Sequence, residues 1–264
     1  MTRHRRKILA LTISVLMAAI VPQSGFAGEP TFVDYGQPKL LTGMVYEMSS
    51  GTNKVLFMFK RTAVRSNATV SVTRDFIYPN GSLAAHEEAV YESGNLVWFQ
   101  LDERQTGAKG SATVACDAKM QGKQKLLFDW VTGQDSSAKK KTDSEAFQGD
   151  TLVGDMISYF IPAHWNQLAR GEAVNFRFIA PSRLETVGFK LVKEADVTWR
   201  GQPALRLRME PSSFIIAQIV DPLFFIVEKS GEHRLLEYIG RTTPKMRDGN
   251  KWKDLDARTV YDWD

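Results

Sequence analysis

The chain has 264 residues, 43% of them apolar and 24% charged, with one cysteine. That composition excludes a collagen-like chain, a disulfide-stapled scaffold and a disordered segment, and leaves room for a substantial core. The formal charge of +4 arises in residues 1–27, which hold four of the 34 Lys and Arg and none of the 30 Asp and Glu. The remainder is balanced, so no nucleic-acid partner is expected, because phosphate recognition needs a basic surface.

Arg3, Arg5, Arg6 and Lys7 precede a 14-residue apolar run, Ile8 to Val21, and then Gly25-Phe26-Ala27. This is the layout of a secretory signal peptide, with cleavage expected after Ala27 and a periplasmic destination. The run is shorter than the roughly 20 residues of a spanning helix, and nothing later reaches that length, so no transmembrane segment is expected in the mature chain. One domain is read over 28–264. Cys116 cannot form an intramolecular disulfide, and beside Val114 and Ala115 a buried, inert thiol is expected.

Residues 28–38 read as an irregular lead-in. Alternation then runs to Val131: Val55, Phe57 and Phe59 share one face, and Val70, Val72 and Arg74 share another. Pro79-Asn80-Gly81 and Ser93-Gly94-Asn95 supply turns, and Leu96–Leu101 and Gln124–Trp130 supply strands, as in an antiparallel meander. Residues 132–149, including Lys139-Lys140-Lys141, read as a polar surface loop or lid hinge.

Asp150 is placed to cap a helix with Leu152, Val153, Met156, Ile157 and Phe160 on one face. Pro162 breaks it, a second short helix holds Trp165 and Leu168, and Gly171 ends that one. Strands resume around Val174-Phe176-Phe178, Val187-Phe189-Leu191 and Leu205-Leu207-Met209, with a turn at Gly201-Gln202. Ser213–Val220 reads as a short helix or strand on the apolar face, Leu223–Glu228 and Arg234–Gly240 as strands, and the tail carries Trp252, Tyr261 and Trp263. The expected fold is therefore mainly β: one curved antiparallel sheet of half-barrel type, two meanders flanking a small helical lid near 150–170.

No catalytic constellation stands out. The three histidines of the mature chain, His86, His164 and His233, are scattered, and His86-Glu87-Glu88 reads as a surface ion pair, so neither a metal nor another cofactor is expected. There is no G-x-S-x-G elbow; Ser212 or Ser213 with Asp221 and His233 is a chance trio. What remains is apolar: a stripe of Met156, Ile157, Phe160 and Trp165, and a second around Phe214 to Phe225. Core packing accounts for both; a greasy pocket under a lid accounts for them equally well, since burying an acyl chain is favourable by about 0.8 kcal/mol per CH₂.

The leader, meander, helical insertion and further strands resemble the periplasmic half-barrel proteins of the lipoprotein-carrier (LolA/LolB-like) class. The stretch from Pro211-Ser212-Ser213-Phe214 to Asp221-Pro222-Leu223, with Leu235–Arg241 after it, is similar to exported bacterial proteins placed near that class. The resemblance implies lid positions for Met156, Ile157, Phe160 and Trp165 and a concave face holding Phe176, Phe178, Leu205 and Leu207, with Phe214 in the second stripe. It implies a non-catalytic carrier for a lipid or acylated ligand. The other reading is an envelope interaction protein with a filled core and a protein partner. The chain is longer than such carriers, and the arginine that gates their lid is not identifiable from sequence.

Overall fold

Period-two alternation puts one face of each strand in the core, and in this chain it persists over most of the length. The computed structural model describes residues 33–48, 54–116, 123–133, 138–213 and 221–263. Among them, fifteen strands form one sheet. The first meander is β1 (Leu40–Glu47), β2 (Val55–Ser66), β3 (Thr69–Ile77), β4 (Leu83–Glu92), β5 (Asn95–Glu103), β6 (Ala108–Cys116), β7 (Gln124–Thr132) and β8 (Lys139–Ala146). The short β9 (Thr151–Leu152) leads to a 3-10 turn (Gly154–Met156), α1 (Ile157–Ala163) and α2 (Trp165–Ala169). The second meander is β10 (Val174–Ala180), β11 (Glu185–Trp199), β12 (Gln202–Pro211), β13 (Leu223–Glu228), β14 (Leu235–Asp248) and β15 (Lys251–Asp262).

The two meanders join where the first strand meets the last. β1 pairs with β15, Met44 opposite Val260 and Tyr46 opposite Arg258. The sheet order therefore runs β8 to β1, then β15 down to β9. Neighbours are antiparallel except β9 and β10, which are parallel because the helical insertion forms the crossover between them. The mainly β class, the single curved sheet and the small helical element are as expected from the sequence.

The sheet curls until its ends meet. Val174, Phe176 and Phe178 of β10 join a cluster with the helices and β11–β14. Ile179, from the opposite face of β10, joins a second cluster with Phe99, Ala112, Leu126 and Phe128 of β5–β7. β10 is thus covered on both faces. At the seam the Thr186 N–H donates to Glu145 Oε1 at 3.0 Å. Gly110 lies so close beneath Trp130 and Pro181 that a Cβ there would fall 2.4 Å and 2.8 Å from their nearest atoms. At one end the Gln105 amide bridges β14, donating to Lys245 O at 2.9 Å and accepting from Lys245 N–H at 2.7 Å.

Several local expectations are corrected. Residues 132–149 are not all loop: β8 pairs with β7 from Lys139–Thr132 to Ala146–Lys125. Seven of its eight residues are exposed, so no apolar alternation marks the strand. Its lysines sit on an edge, where charge discourages pairing with another chain. Cys116 is exposed rather than buried, because it is the last residue of β6, opposite Gln124. Asp150 caps no helix; its carbonyl accepts the Arg177 N–H, and Val153 precedes the first helical turn without a side-chain cap.

Pro162 lies inside α1, one residue before its end, and α2 and the Gly171 stop (φ +83°) follow as expected. The β11–β12 turn is Arg200-Gly201, both at positive φ (46° and 83°), one residue earlier than read. It is flanked by the Trp199–Gln202 pair. The aromatic tail is a full strand, β15. The expectation for Ser213–Val220 falls outside the described residues except at Ser213.

Candidate functional site

The site begins with the insertion, because it lies against the inward side of the sheet. Ile157, Phe160, Ile161 and Leu168 pack with Phe176, Leu191, Leu205, Leu207, Phe225 and Val227, all buried. The Phe160 and Phe176 rings are 5.0 Å apart, centre to centre. Of the lining predicted from sequence, Ile157, Phe160, Phe176, Leu205 and Leu207 are buried in this cluster, and Met156, Trp165 and Phe178 pack against it half-buried. The structure brings these eight together; Phe214 lies outside the described residues. Trp165 also stacks on His233, ring centres 3.7 Å apart, tying α2 to the β13–β14 turn.

Beside this apolar region lies a polar centre that sequence reading missed. Arg61 continues the inward row of Phe57 and Phe59, and its side chain is 2% exposed. Its Nε donates to Asp155 Oδ1 at 2.5 Å and its Nη2 to Asp155 Oδ2 at 3.2 Å. Nη2 also reaches the Tyr159 hydroxyl and Tyr35 O, both at 2.7 Å, and Nη1 reaches Pro38 O at 2.5 Å. The Tyr91 hydroxyl donates to Asp155 Oδ2 at 3.1 Å. Tyr35 stacks on Tyr91 at 3.9 Å and meets Tyr159 edge-on at 4.8 Å.

Arg74 is Arg61's direct partner across β2 and β3. It donates to Glu87 Oε2 at 2.7 Å, and Glu87 accepts from the Thr243 hydroxyl of β14. The guanidinium also lies 5.4 Å from the Phe59 ring centre. Gly154 makes room for it: a Cβ there would fall 1.9 Å from Arg74 Nη1. The insertion therefore meets both arginines, Gly154 against one and Asp155 paired with the other. Between them lies a cavity of about 20 Å³, lined by Arg61, Arg74, Asp155 and Ser158 together with Leu41, Phe59 and Leu235. That is room for about one water molecule.

Burial opposes charge on both guanidiniums, but the neighbouring carboxylates, Asp155 for Arg61 and Glu87 for Arg74, outweigh it and hold both pKa values up. The tyrosines move the same way for a different reason: burial, then the Asp155 charge, pushes Tyr35 up to about 12 and raises Tyr91 and Tyr159. The centre thus pairs two permanently charged arginines with the carboxylates of Asp155 and Glu87, beside phenols that stay neutral over the ordinary pH range.

The histidines are engaged locally. His86 Nδ1 lies 2.6 Å from Asp75 Oδ1, His164 Nδ1 2.9 Å from Phe160 O, and His233 Nδ1 3.2 Å from Glu228 O. His86 pairs with Asp75 rather than with the adjacent glutamates, and Glu87 points inward to Arg74. Among the described residues no group of three His, Cys, Asp or Glu side chains could hold a metal ion, and no helix is long and apolar enough to cross a membrane.

No protein-family model matches the chain, and no curated protein does. Among solved structures, the chain is similar to a β-barrel-like protein of the domain of unknown function DUF1849 from Brucella abortus. That similarity covers 84% of this chain and 95% of that one, at a TM-score of 0.36 and 7% sequence identity.

Proposed function

We propose that the protein is an exported periplasmic binding or carrier protein for a lipid or other hydrophobic group, acting without catalysis, with residues 154–169 as a movable lid. The observation that carries this reading is the placement of the insertion. Its apolar face covers the inward rows of β10–β14, so an acyl chain could take the place of Ile157, Phe160 and Leu168 on Leu205, Leu207 and Phe225. Gly171, at φ +83°, supplies a hinge at the end of α2. The leader at 1–27 supports export.

The test is native mass spectrometry of the protein recovered from the periplasm, before and after lipid extraction. A bound mass that disappears on extraction supports the carrier reading. A bare mass, with no binding of the neutral probe Nile red to extracted protein, overturns it. The cavity of about 20 Å³ favours a second reading, in which the core is filled by the protein's own side chains and the function lies in a protein partner in the envelope.

A further inference from the structure

We propose that the hydrophobic ligand carries an anionic head, and that this head replaces the Asp155 carboxylate on Arg61 when the insertion lifts; the inference rests on the carrier reading above. It follows from where the charges reside. Arg61 and Arg74 sit opposite each other on β2 and β3 and share the inward side of the sheet. The sheet itself supplies one carboxylate, Glu87, and that one is engaged by Arg74. The second carboxylate, Asp155, belongs to the insertion. Lift the insertion and this centre keeps two guanidiniums and one carboxylate.

Arg61 would then lose three of its five hydrogen bonds, those to Asp155 and to Tyr159, and keep only the carbonyls of Tyr35 and Pro38. A neutral alkyl chain restores the apolar contacts that the helices gave up, but leaves a buried cation uncompensated. A carboxylate or phosphate head restores both charge balance and the paired geometry that a guanidinium requires. The chain and head would be contiguous: Leu235 belongs to the apolar cluster under the helices and also lines the small cavity between Arg61 and Arg74. Asp155 thus occupies, in the closed form, the place of the ligand's own head.

The experiment is isothermal titration of the full, exported and lipid-extracted protein with decanoate, decanol and acetate. Decanoate is expected to bind at least about tenfold more tightly than decanol, and acetate not to compete. Asp155→Asn removes the internal competitor and is expected to widen the decanoate-to-decanol ratio. The double variant Arg61→Met with Asp155→Leu, which replaces the pair by apolar groups of similar size, is expected to bind decanol and lose the preference. Equal binding of decanoate and decanol, or an unchanged ratio in Asp155→Asn, overturns the anionic head while leaving the carrier reading standing. Acetate competing as well as decanoate would show a small-anion site with no chain attached, which also overturns the proposal. Binding of neither chain overturns this inference, and the carrier reading falls with it when Nile red does not bind either.

Discussion

The two sides of the interior are built by opposite rules. Along β10–β13 the buried inward residues are apolar: Phe176, Leu191, Leu205, Leu207, Phe225 and Val227. Along β2–β4 the same inward phase carries Arg61, Arg74 and Glu87 among aromatic neighbours. The insertion touches both, Phe160 and Leu168 on one side and Asp155 on the other. Apolar contact holds it by area and tolerates sliding, because the hydrophobic effect has no direction. The Arg61–Asp155 pair specifies one position, because a guanidinium and a carboxylate fit in few geometries. One side supplies adhesion and the other supplies register.

Breaking the polar side by halves should have the largest effect. Arg61→Met leaves the Asp155 carboxylate buried beside tyrosines, and a loss of about 3–5 kcal/mol is expected in urea unfolding. Adding Asp155→Leu should restore most of it, since apolar replacements of a buried ion pair are often neutral. A single variant no less stable than wild type would mean that Arg61 does not anchor the insertion. On the apolar side, Leu207→Ala removes a fully buried side chain and should cost about 2–4 kcal/mol. Unlike Arg61→Met, it has no charge partner whose removal could rescue it.

Gly154→Ala sharpens the contrast at the contact between insertion and floor. The new methyl would displace Arg74 from its seat, and about 1 kcal/mol is expected, read as a lowered Tm. The tyrosines test the polar side by pH. Burial raises the pKa of Tyr35 and Tyr261 to about 12 from an ordinary 10, the Asp155 charge adding to it at Tyr35 and the Arg74 charge opposing it at Tyr261. Their neutral forms therefore contribute stability that is whole below pH 10 and is lost as pH rises towards 12. The tyrosinate absorbance removed by Tyr35→Phe and by Tyr261→Phe should lag the free phenol and then rise together with unfolding; titration of either residue at pH 10 in the folded state would contradict this burial. The smallest effect is expected at Cys116, exposed at the end of β6, which should react with a thiol reagent in the native protein without change in Tm.

Alternation made the sheet legible, because strands such as β2 and β12 bury one face and wet the other. From Met156 on the insertion was legible as an apolar stripe at helical spacing, whereas Leu152 lies in β9 and Val153 ahead of the first helical turn. β8 was not, because an edge strand exposed on both faces has no hydrophobic period. β15 was hidden by its charges, since an inward row of Leu255, Ala257 and Thr259 is too small to stand out. The polar centre was visible in part: Arg61 keeps phase with Phe57 and Phe59, Arg74 with Val70 and Val72, and Glu87 with Ala85 and Ala89. A charge in phase with an apolar row is either a partnered core residue or the end of a buried face. Sequence spacing cannot distinguish them when the partner lies 94 residues away, as Asp155 does from Arg61.

The seam between β8 and β11 has a geometric consequence. In a closed barrel the strand number and the stagger of the ladder fix the girth, and a wider bore requires another strand or a new register. Here the overlap is held by the Glu145 side chain on the Thr186 amide and by Pro181 and Trp130 closing over Gly110. Among the described residues no ladder crosses that line. Side-chain packing across the overlap, with Ile179 buried among Phe99, Ala112, Leu126 and Phe128, sets the circumference there instead.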